Sequence, residues 1–147
     1  MEKSTIIIFL AFTIIGCTNS NEATQKPEKG IVGTWKLVYG EVKENDSLTV
    51  RDVSKSDFIK IINETHFSFL SQTYQKPITF YGAGGTYTLK GSIYTEKLTH
   101  CDWDDYRGKN FPFTVKITKD SLIQYGVEEI KEKNIKRYVV EKYIKIK

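Results

Sequence analysis

From residue 31 to residue 146 the chain is a series of short runs that alternate apolar and polar side chains, separated by tight turns. This punctuation limits the fold more than anything else in the sequence. Residues 85–89 (GTYTL) and 92–100 (SIYTEKLTH) flank Lys90-Gly91, and residues 58–62 (FIKII) and 65–74 (THFSFLSQTY) flank Asn63-Glu64. Two turn-forming residues between two alternating runs predict a hairpin, because a strand turns its side chains to opposite faces at every residue. Phe111, Phe113, Val115 and Ile117 alternate with Pro112, Thr114 and Lys116; Lys119-Asp120 turns the chain, and residues 121–127 form the next run. Residues 31–42 open the series and residues 135–146 (IKRYVVEKYIKI) close it.

Read this way the chain holds about eight strands and no long helical pattern, which fits a barrel or a sandwich. Hairpin following hairpin predicts an all-β fold, a single up-and-down antiparallel barrel over residues 30–147, since closure hides the edges of such a sheet. A two-sheet sandwich is the other arrangement the pattern allows. Nine Tyr, eight Phe and two Trp against one Met suit strands. Residues 41–57 are polar, with Asn45-Asp46-Ser47 as turn signals, and read as a loop over one mouth with room for a short helical turn. Residues 75–84 are irregular around Pro77 and Gly82, although residues 78–81 have the composition to pair briefly. Gly82-Ala83-Gly84-Gly85 reads as a bend into a strand, not as a phosphate loop, because no helix follows it. Residues 101–110 (CDWDDYRGKN) form a polar loop, and residues 128–134 (EEIKEKN) a charged loop or a frayed strand end.

Gly33-Thr34-Trp35-Lys36-Leu37-Val38 resembles the first strand of the lipocalin and fatty-acid-binding-protein superfamily. The intracellular fatty-acid-binding proteins carry a helix pair after that strand and an Arg-x-Tyr clamp near the C-terminus. Here residues 41–57 are too short and polar for the pair, and Arg137 is followed directly by Tyr138, so their fatty-acid site is not carried over. The chain is more similar to small bacterial lipoproteins with a lipocalin-like domain, through Gly84-Gly85-Thr86-Tyr87-Thr88-Leu89-Lys90-Gly91, Tyr94-Thr95-Glu96, Arg137-Tyr138 and Glu141-Lys142-Tyr143. The resemblance implies a barrel in the cell envelope and no established reaction. It also implies that Gly33, Trp35 and Arg137 close the barrel, with the late Arg packed over the first-strand Trp. Strand alternation opposes part of this: Tyr138, Val140, Ile144 and Ile146 form the more apolar face of the last strand, which would turn Arg137 outward unless a bulge intervenes.

The N-terminus reads as an address. Lys3 precedes an apolar run, residues 5–15, that is too short to span a bilayer and suits the core of a signal peptide. The run ends in Ile14-Ile15-Gly16-Cys17, which resembles a bacterial lipobox. That implies a signal peptide over residues 1–16, cleavage before Cys17, and acylation of Cys17, palmitate being one such chain. Several acyl chains anchor stably where one would not. Residues 17–29 then form a lipidated Cys and a flexible tether, polar and without an aromatic, which cannot bury enough apolar surface to fold. Thr18 stands where an Asp would signal retention at the inner membrane, which points to the outer membrane. With Cys17 acylated only Cys101 remains, so the fold rests on its core without an intrachain disulfide.

On residues 92–100, Tyr94, Glu96, Leu98 and His100 share one face and Ile93, Thr95, Lys97 and Thr99 the other. Tyr94 and Leu98 make the first face the interior, so Glu96 points into the barrel, where a carboxylate has to be paired, hydrated or protonated. Its role is either structural, bonded to Tyr hydroxyls or an Arg, or that of a ligand-binding or acid–base group. Tyr87, Tyr94, Tyr125 and Tyr138 are candidates to line the same space, offering flat apolar faces with a few hydroxyls; side chains that merely fill a small barrel are the plain alternative. His100-Cys101-Asp102-Trp103 lacks a spaced ligand pair, so no metal site and no cofactor are assigned, and Trp103 is expected to shield a barrel end. The net charge of +4 is spread among mixed Lys and Glu, with no basic block for nucleic acid.

These readings converge on a non-enzymatic, lipid-anchored envelope lipoprotein with a small apolar or amphipathic ligand in its barrel. The alternatives are an accessory lipoprotein with a filled barrel and protein-binding loops, and a barrel enzyme using Glu96 with Tyr94 or His100. A cavity of roughly 300 Å³ or more, the lower end for ligand pockets, separates the first two.

Overall fold

The computed structural model describes residues 30–146; the signal peptide, Cys17 and the tether expected over residues 1–29 lie outside them. The strands are β1 (Gly33–Glu44), β2 (Ser47–Val50), β3 (Ser56–Ile62), β4 (His66–Thr73), β5 (Phe80–Lys90), β6 (Ile93–His100), β7 (Asn110–Ile117), β8 (Ser121–Ile130) and β9 (Ile135–Lys145). Each pairs antiparallel with its neighbour in the order β2-β1-β3-β4-β5-β6-β7-β8-β9, and β1 also pairs with β9, which closes the barrel. The up-and-down antiparallel barrel is as the hairpin punctuation predicts.

Residues 41–57 are the main departure. They do not form a loop with a helical turn. β1 runs on to Glu44, turns through Asn45-Asp46, and returns as β2, whose residues pair Val50 with Glu41 and Ser47 with Glu44. β1 thus changes partners along one edge: Gly33 to Lys36 pair with β3, and Glu41 to Glu44 with β2. The extra strand heightens the wall at one mouth. Residues 82–84 are likewise part of β5 and not a bend outside it. The irregularity they signal is a bulge, where Gly84 pairs with His100 and Gly85 with Leu98, leaving Thr99 extra on β6. A Cβ on Gly85 would stand 1.9 Å from the Lys97 carbonyl oxygen, so only glycine fits this approach. Residues 131–133 form a short 3-10 turn between β8 and β9.

The two ends of the barrel differ in their connections. β3–β4, β5–β6 and β7–β8 meet at one end through the tight turns read from the sequence, and β2–β3, β4–β5, β6–β7 and β8–β9 at the other through longer ones. The first end is solid. Ile31, Trp35, Ile62, Phe67, Tyr94, Phe113, Leu122 and Tyr143 are buried there. A second bulge in β1, between Leu37 and Tyr39, shifts the alternation, so that Trp35 and Leu37 point inward below it and Val42 above it.

Trp35 plugs the solid end, with its indole N–H donated to the Ile31 carbonyl at 2.8 Å. The cation over it is Lys145, not Arg137: the Lys145 ammonium sits 5.1 Å from the Trp35 ring and donates to the Val32 carbonyl at 2.9 Å. Gly33 leaves room for that stem, since a Cβ there would meet Lys145 Cε at 2.5 Å. Arg137 cannot take the position, because it lies at the opposite end of β9, paired in register with Glu44 and Glu128.

Candidate functional site

The polar side chains of the interior are stacked above the solid end in two layers. The lower one is built on β3, β6, β8 and β9, strands whose alternation brings one polar residue each to the same level. Lys60 follows Phe58 and precedes Ile62 on the inward face of β3, and is 2% exposed. Its ammonium donates to Glu96 at 2.8 Å and to the Gln124 side-chain carbonyl at 2.9 Å, and stands 3.9 Å from Glu141. Glu141 in turn accepts the Tyr143 hydroxyl at 2.6 Å. Buried charges persist only when paired and hydrogen-bonded in this way. Burial raises the Glu96 carboxyl above its ordinary value while the Lys60 ammonium pulls against it. Burial, with the neighbouring carboxylates, pushes the Tyr94 and Tyr143 hydroxyls well above theirs. The wholly buried Tyr94 hydroxyl completes no hydrogen bond among the described residues.

The upper layer faces the mouth. Arg137 donates to Glu128 at 2.6 Å and lies 5.5 Å from the centre of the Tyr106 ring. Burial raises the Glu128 carboxyl too, against the pull of Arg137. Arg51, in the connection after β2, is fixed by its backbone N–H to the Gly40 carbonyl at 2.8 Å. Its guanidinium lies 4.9 Å from the centre of the Phe58 ring and donates to the Tyr81 hydroxyl at 2.9 Å. Trp103, on the β6–β7 connection, stacks on Phe69 with centroids 6.4 Å apart and meets Tyr81 and Tyr106 edge-on.

Between these layers lies a cavity of about 400 Å³, partly enclosed and open at the mouth. Lys60, Glu96, Gln124 and Glu141 line its floor. Phe58, Phe69, Tyr81, Trp103, Tyr106 and Phe111 give it aromatic walls, and Arg51, Glu128 and Arg137 line its upper part. The arrangement suits a flat molecule with polar groups: rings to stack on, and charged or amide groups to fix orientation.

Of the five side chains proposed from sequence to line the interior, Glu96 alone borders the cavity. Tyr94 points inward but packs below the floor, against Phe67 and Tyr87. Tyr87 donates its hydroxyl to the Asn63 carbonyl at 2.8 Å, beside the β3–β4 turn. Tyr125 lies on the outer face of β8, 6.0 Å from the Lys116 ammonium. Tyr138 is 41% exposed and also outside. The expected face of β9 is reversed: Tyr138, Val140 and Ile144 look outward, and Arg137, Val139, Glu141 and Tyr143 look inward. A polar interior layer defeats the rule that the apolar face is the buried one.

Lys60, Gln124, Glu141, Arg51, Tyr81 and Tyr106 also line the cavity, beyond the residues that the sequence pattern singles out for it. For Lys60 a signal existed, since alternation ties it to Phe58 and Ile62; Ile59 and Ile61 on the other face obscured it. Trp103 shields a barrel end as expected from its loop. Among the described residues no group of three His, Cys, Asp or Glu side chains is placed to hold a metal ion.

No family profile matches the chain, and no curated protein matches it in sequence. Among solved structures it is similar to a lipocalin-like protein from Bacteroides uniformis ATCC 8492, at 17% identity and a TM-score of 0.50, over 78% of this chain and 97% of that one. It is also similar to an uncharacterized protein from Bacteroides eggerthii DSM 20697, at 18% identity and a TM-score of 0.47, over 78% of this chain and 98% of that one. With its closed barrel, its first-strand Trp35 plug and the likeness to the B. uniformis structure, the chain has the lipocalin-like fold.

Proposed function

We propose that this is a lipid-anchored envelope lipoprotein whose barrel holds one small amphipathic molecule in the cavity at its mouth. The observation that carries the reading is the cavity itself. At about 400 Å³, walled by aromatic rings and floored by a few convergent polar groups, it falls within the roughly 300–1,000 Å³ of ligand sites. A barrel serving only as a scaffold for its loops has no need of such a space, so the cavity favours binding over the accessory role. Glu96 supports binding over proton transfer as well: it is 6% exposed and held by Lys60 at 2.8 Å, engaged as a structural ion pair. The anchor rests on the apolar run of residues 5–15 and on Ile14-Ile15-Gly16-Cys17, which together resemble a lipoprotein signal and support a place at the bacterial envelope; Thr18, where an Asp would signal the inner membrane, supports the outer membrane.

Native mass spectrometry of the barrel domain, expressed in the bacterial periplasm and purified without detergent, tests the binding. A retained mass that denaturation releases is the expected result. Its repeated absence, with no thermal shift across a panel of ring compounds, lipids and sugars, would leave the accessory role in its place. Cys17→Ser tests the anchor, and is expected to move the protein from the membrane fraction to the soluble fraction.

A further inference from the structure

The charges that line the cavity are not evenly matched from floor to mouth. On the floor, two carboxylates, Glu96 and Glu141, face one ammonium, Lys60. At the upper end two guanidiniums, Arg51 and Arg137, face one carboxylate, Glu128. Glu128 is already taken by Arg137 at 2.6 Å. Glu44 acts on Arg137 from the exposed rim, but does not line the cavity. Arg51 therefore stands apart: among the described residues it forms no ion pair, and its one side-chain hydrogen bond goes to the Tyr81 hydroxyl. A guanidinium has five N–H donors in a flat fork shaped for a carboxylate. Tyr81 accepts from one of them, and the Phe58 ring covers a face of the guanidinium without satisfying its edge.

The floor sets the other half of the requirement. An aliphatic tail driven down the cavity would end against Lys60, Glu96, Gln124 and Glu141 and desolvate them without returning a hydrogen bond. A second anion there would meet two carboxylates. A hydroxyl or an amine would find acceptors in them. Between floor and mouth the wall is aromatic, with Phe58, Phe69 and Trp103 stacked one on the next and Tyr81, Tyr106 and Phe111 also lining it, a surface that suits a ring better than a flexible chain.

We propose that the cavity takes a flat aromatic acid, with its anionic group on Arg51 at the mouth, its ring between the aromatic walls, and a hydrogen-bond donor at its far end on the Glu96–Glu141 floor. This rests on the binding reading above and narrows it to a chemical class. Arg51 sets the class by charge, and the floor excludes simple long-chain acyl ligands by polarity.

The experiment titrates the full chain in lipid nanodiscs, with empty nanodiscs as the blank, by isothermal calorimetry. The probes are 6-hydroxy-2-naphthoate, its neutral carboxamide, 2-naphthoate without the hydroxyl, and hexadecanoate. The hydroxy acid is expected to bind at least about tenfold more tightly than its amide, the scale of one charge-assisted hydrogen bond. Arg51→Gln is expected to erase that ratio while leaving the amide within about twofold, which a merely unfolded or collapsed mouth would not do. 2-Naphthoate is expected to bind more weakly than the hydroxy acid. Equal affinity for acid and amide, or an equal loss of both in Arg51→Gln, overturns the assignment to Arg51 while the binding reading stands. Tightest binding of hexadecanoate overturns the aromatic class and again leaves the binding reading intact. Binding of no probe, together with no retained mass in the native spectrum, overturns both.

Discussion

At the solid end Trp35 is wholly buried, its N–H tied to the Ile31 carbonyl; at the mouth Trp103 is 36% exposed and stacks on Phe69 in the cavity wall. The two rings are chemically the same and are used in opposite ways. Trp35 fills volume on β1, a strand paired along both edges, where removing it leaves a void that the sheet cannot close. Trp103 sits on a loop and covers a cavity that already exists. The difference divides the barrel's length between a packed end and an open one, with the Lys60 layer as the boundary. Trp35→Ala should therefore cost about 4–5 kcal/mol, the range of a large aromatic removed from a packed core, read as a lowered denaturant midpoint. A loss under about 1 kcal/mol would mean that the solid end is not the keystone the packing implies.

The boundary layer is the next place to press. Lys60→Met removes the one ammonium beside two buried acceptors, Glu96 and Gln124, and the half-buried Glu141. Breaking a buried pair costs about 3 kcal/mol at the low end, and Glu96 favours that end because burial already raises its carboxyl and, without the ammonium, that rise goes unopposed. Adding Glu96→Gln to Lys60→Met should recover most of the loss, since a neutral amide replaces the stranded charge. Additive losses in the double variant would show that the two side chains do not act as a pair. At the mouth the effect on stability should fall again. Trp103→Ala is expected to cost about 1 kcal/mol in stability but to weaken any cavity probe severalfold. If it destabilises as much as Trp35→Ala, the two ends are not distinct.

The same contrast explains what the sequence disclosed. The solid end is made by tight turns, Asn63-Glu64, Lys90-Gly91 and Lys119-Asp120, and by strands whose apolar face is the buried one, so local rules suffice there. Trp35, Tyr94, Leu98 and the inward turn of Glu96 follow from alternation alone. The mouth is made by long connections and by two bulges, which change the phase of β1 and β6, and only the second is signalled locally, by the glycines of residues 82–85. Its chemistry also inverts the usual pattern. In β9 the inward face is Arg137, Val139, Glu141 and Tyr143; Arg137 is met by Glu128 across the β8–β9 hairpin and Glu141 by Lys60 on the distant β3. Nothing in IKRYVVEKYIKI announces those partners, and its apolar face is turned to solvent. Arg51 is illegible for a related reason: residues 41–57 have the composition of a plain polar loop, and only the β1–β2 hairpin brings that side chain over Phe58.

The smallest expected effect distinguishes the interior from the outer surface by its sign. Glu96 and Glu128 have folded pKa values raised above the ordinary 4.5, because burial outweighs the pull of Lys60 and Arg137. For such a carboxyl, folding favours the protonated form, so its contribution is fully present below pH 4.5 and is lost as pH rises through the folded value. Outside the barrel the sign reverses. Hydrogen bonds from Lys55 and Ser54 hold Asp52 at about 2, and Lys36, with Tyr74, holds Asp57 below the usual carboxylate range. Their contributions are present above the unfolded value of 3.8 and fade as pH falls below it. Between neutrality and pH 4.5 the interior pair should therefore govern, and acidification should raise the denaturant midpoint of the wild type slightly before the surface carboxylates lower it. Glu96→Gln removes one of the two groups, so its midpoint should rise less across that window, and Glu128→Gln should flatten the curve in the same direction at the mouth. Curves for the wild type and Glu96→Gln that stay parallel from neutrality down to pH 4.5 would show that Lys60 compensates Glu96 in full, and that the floor of the cavity holds a settled ion pair without a proton to gain.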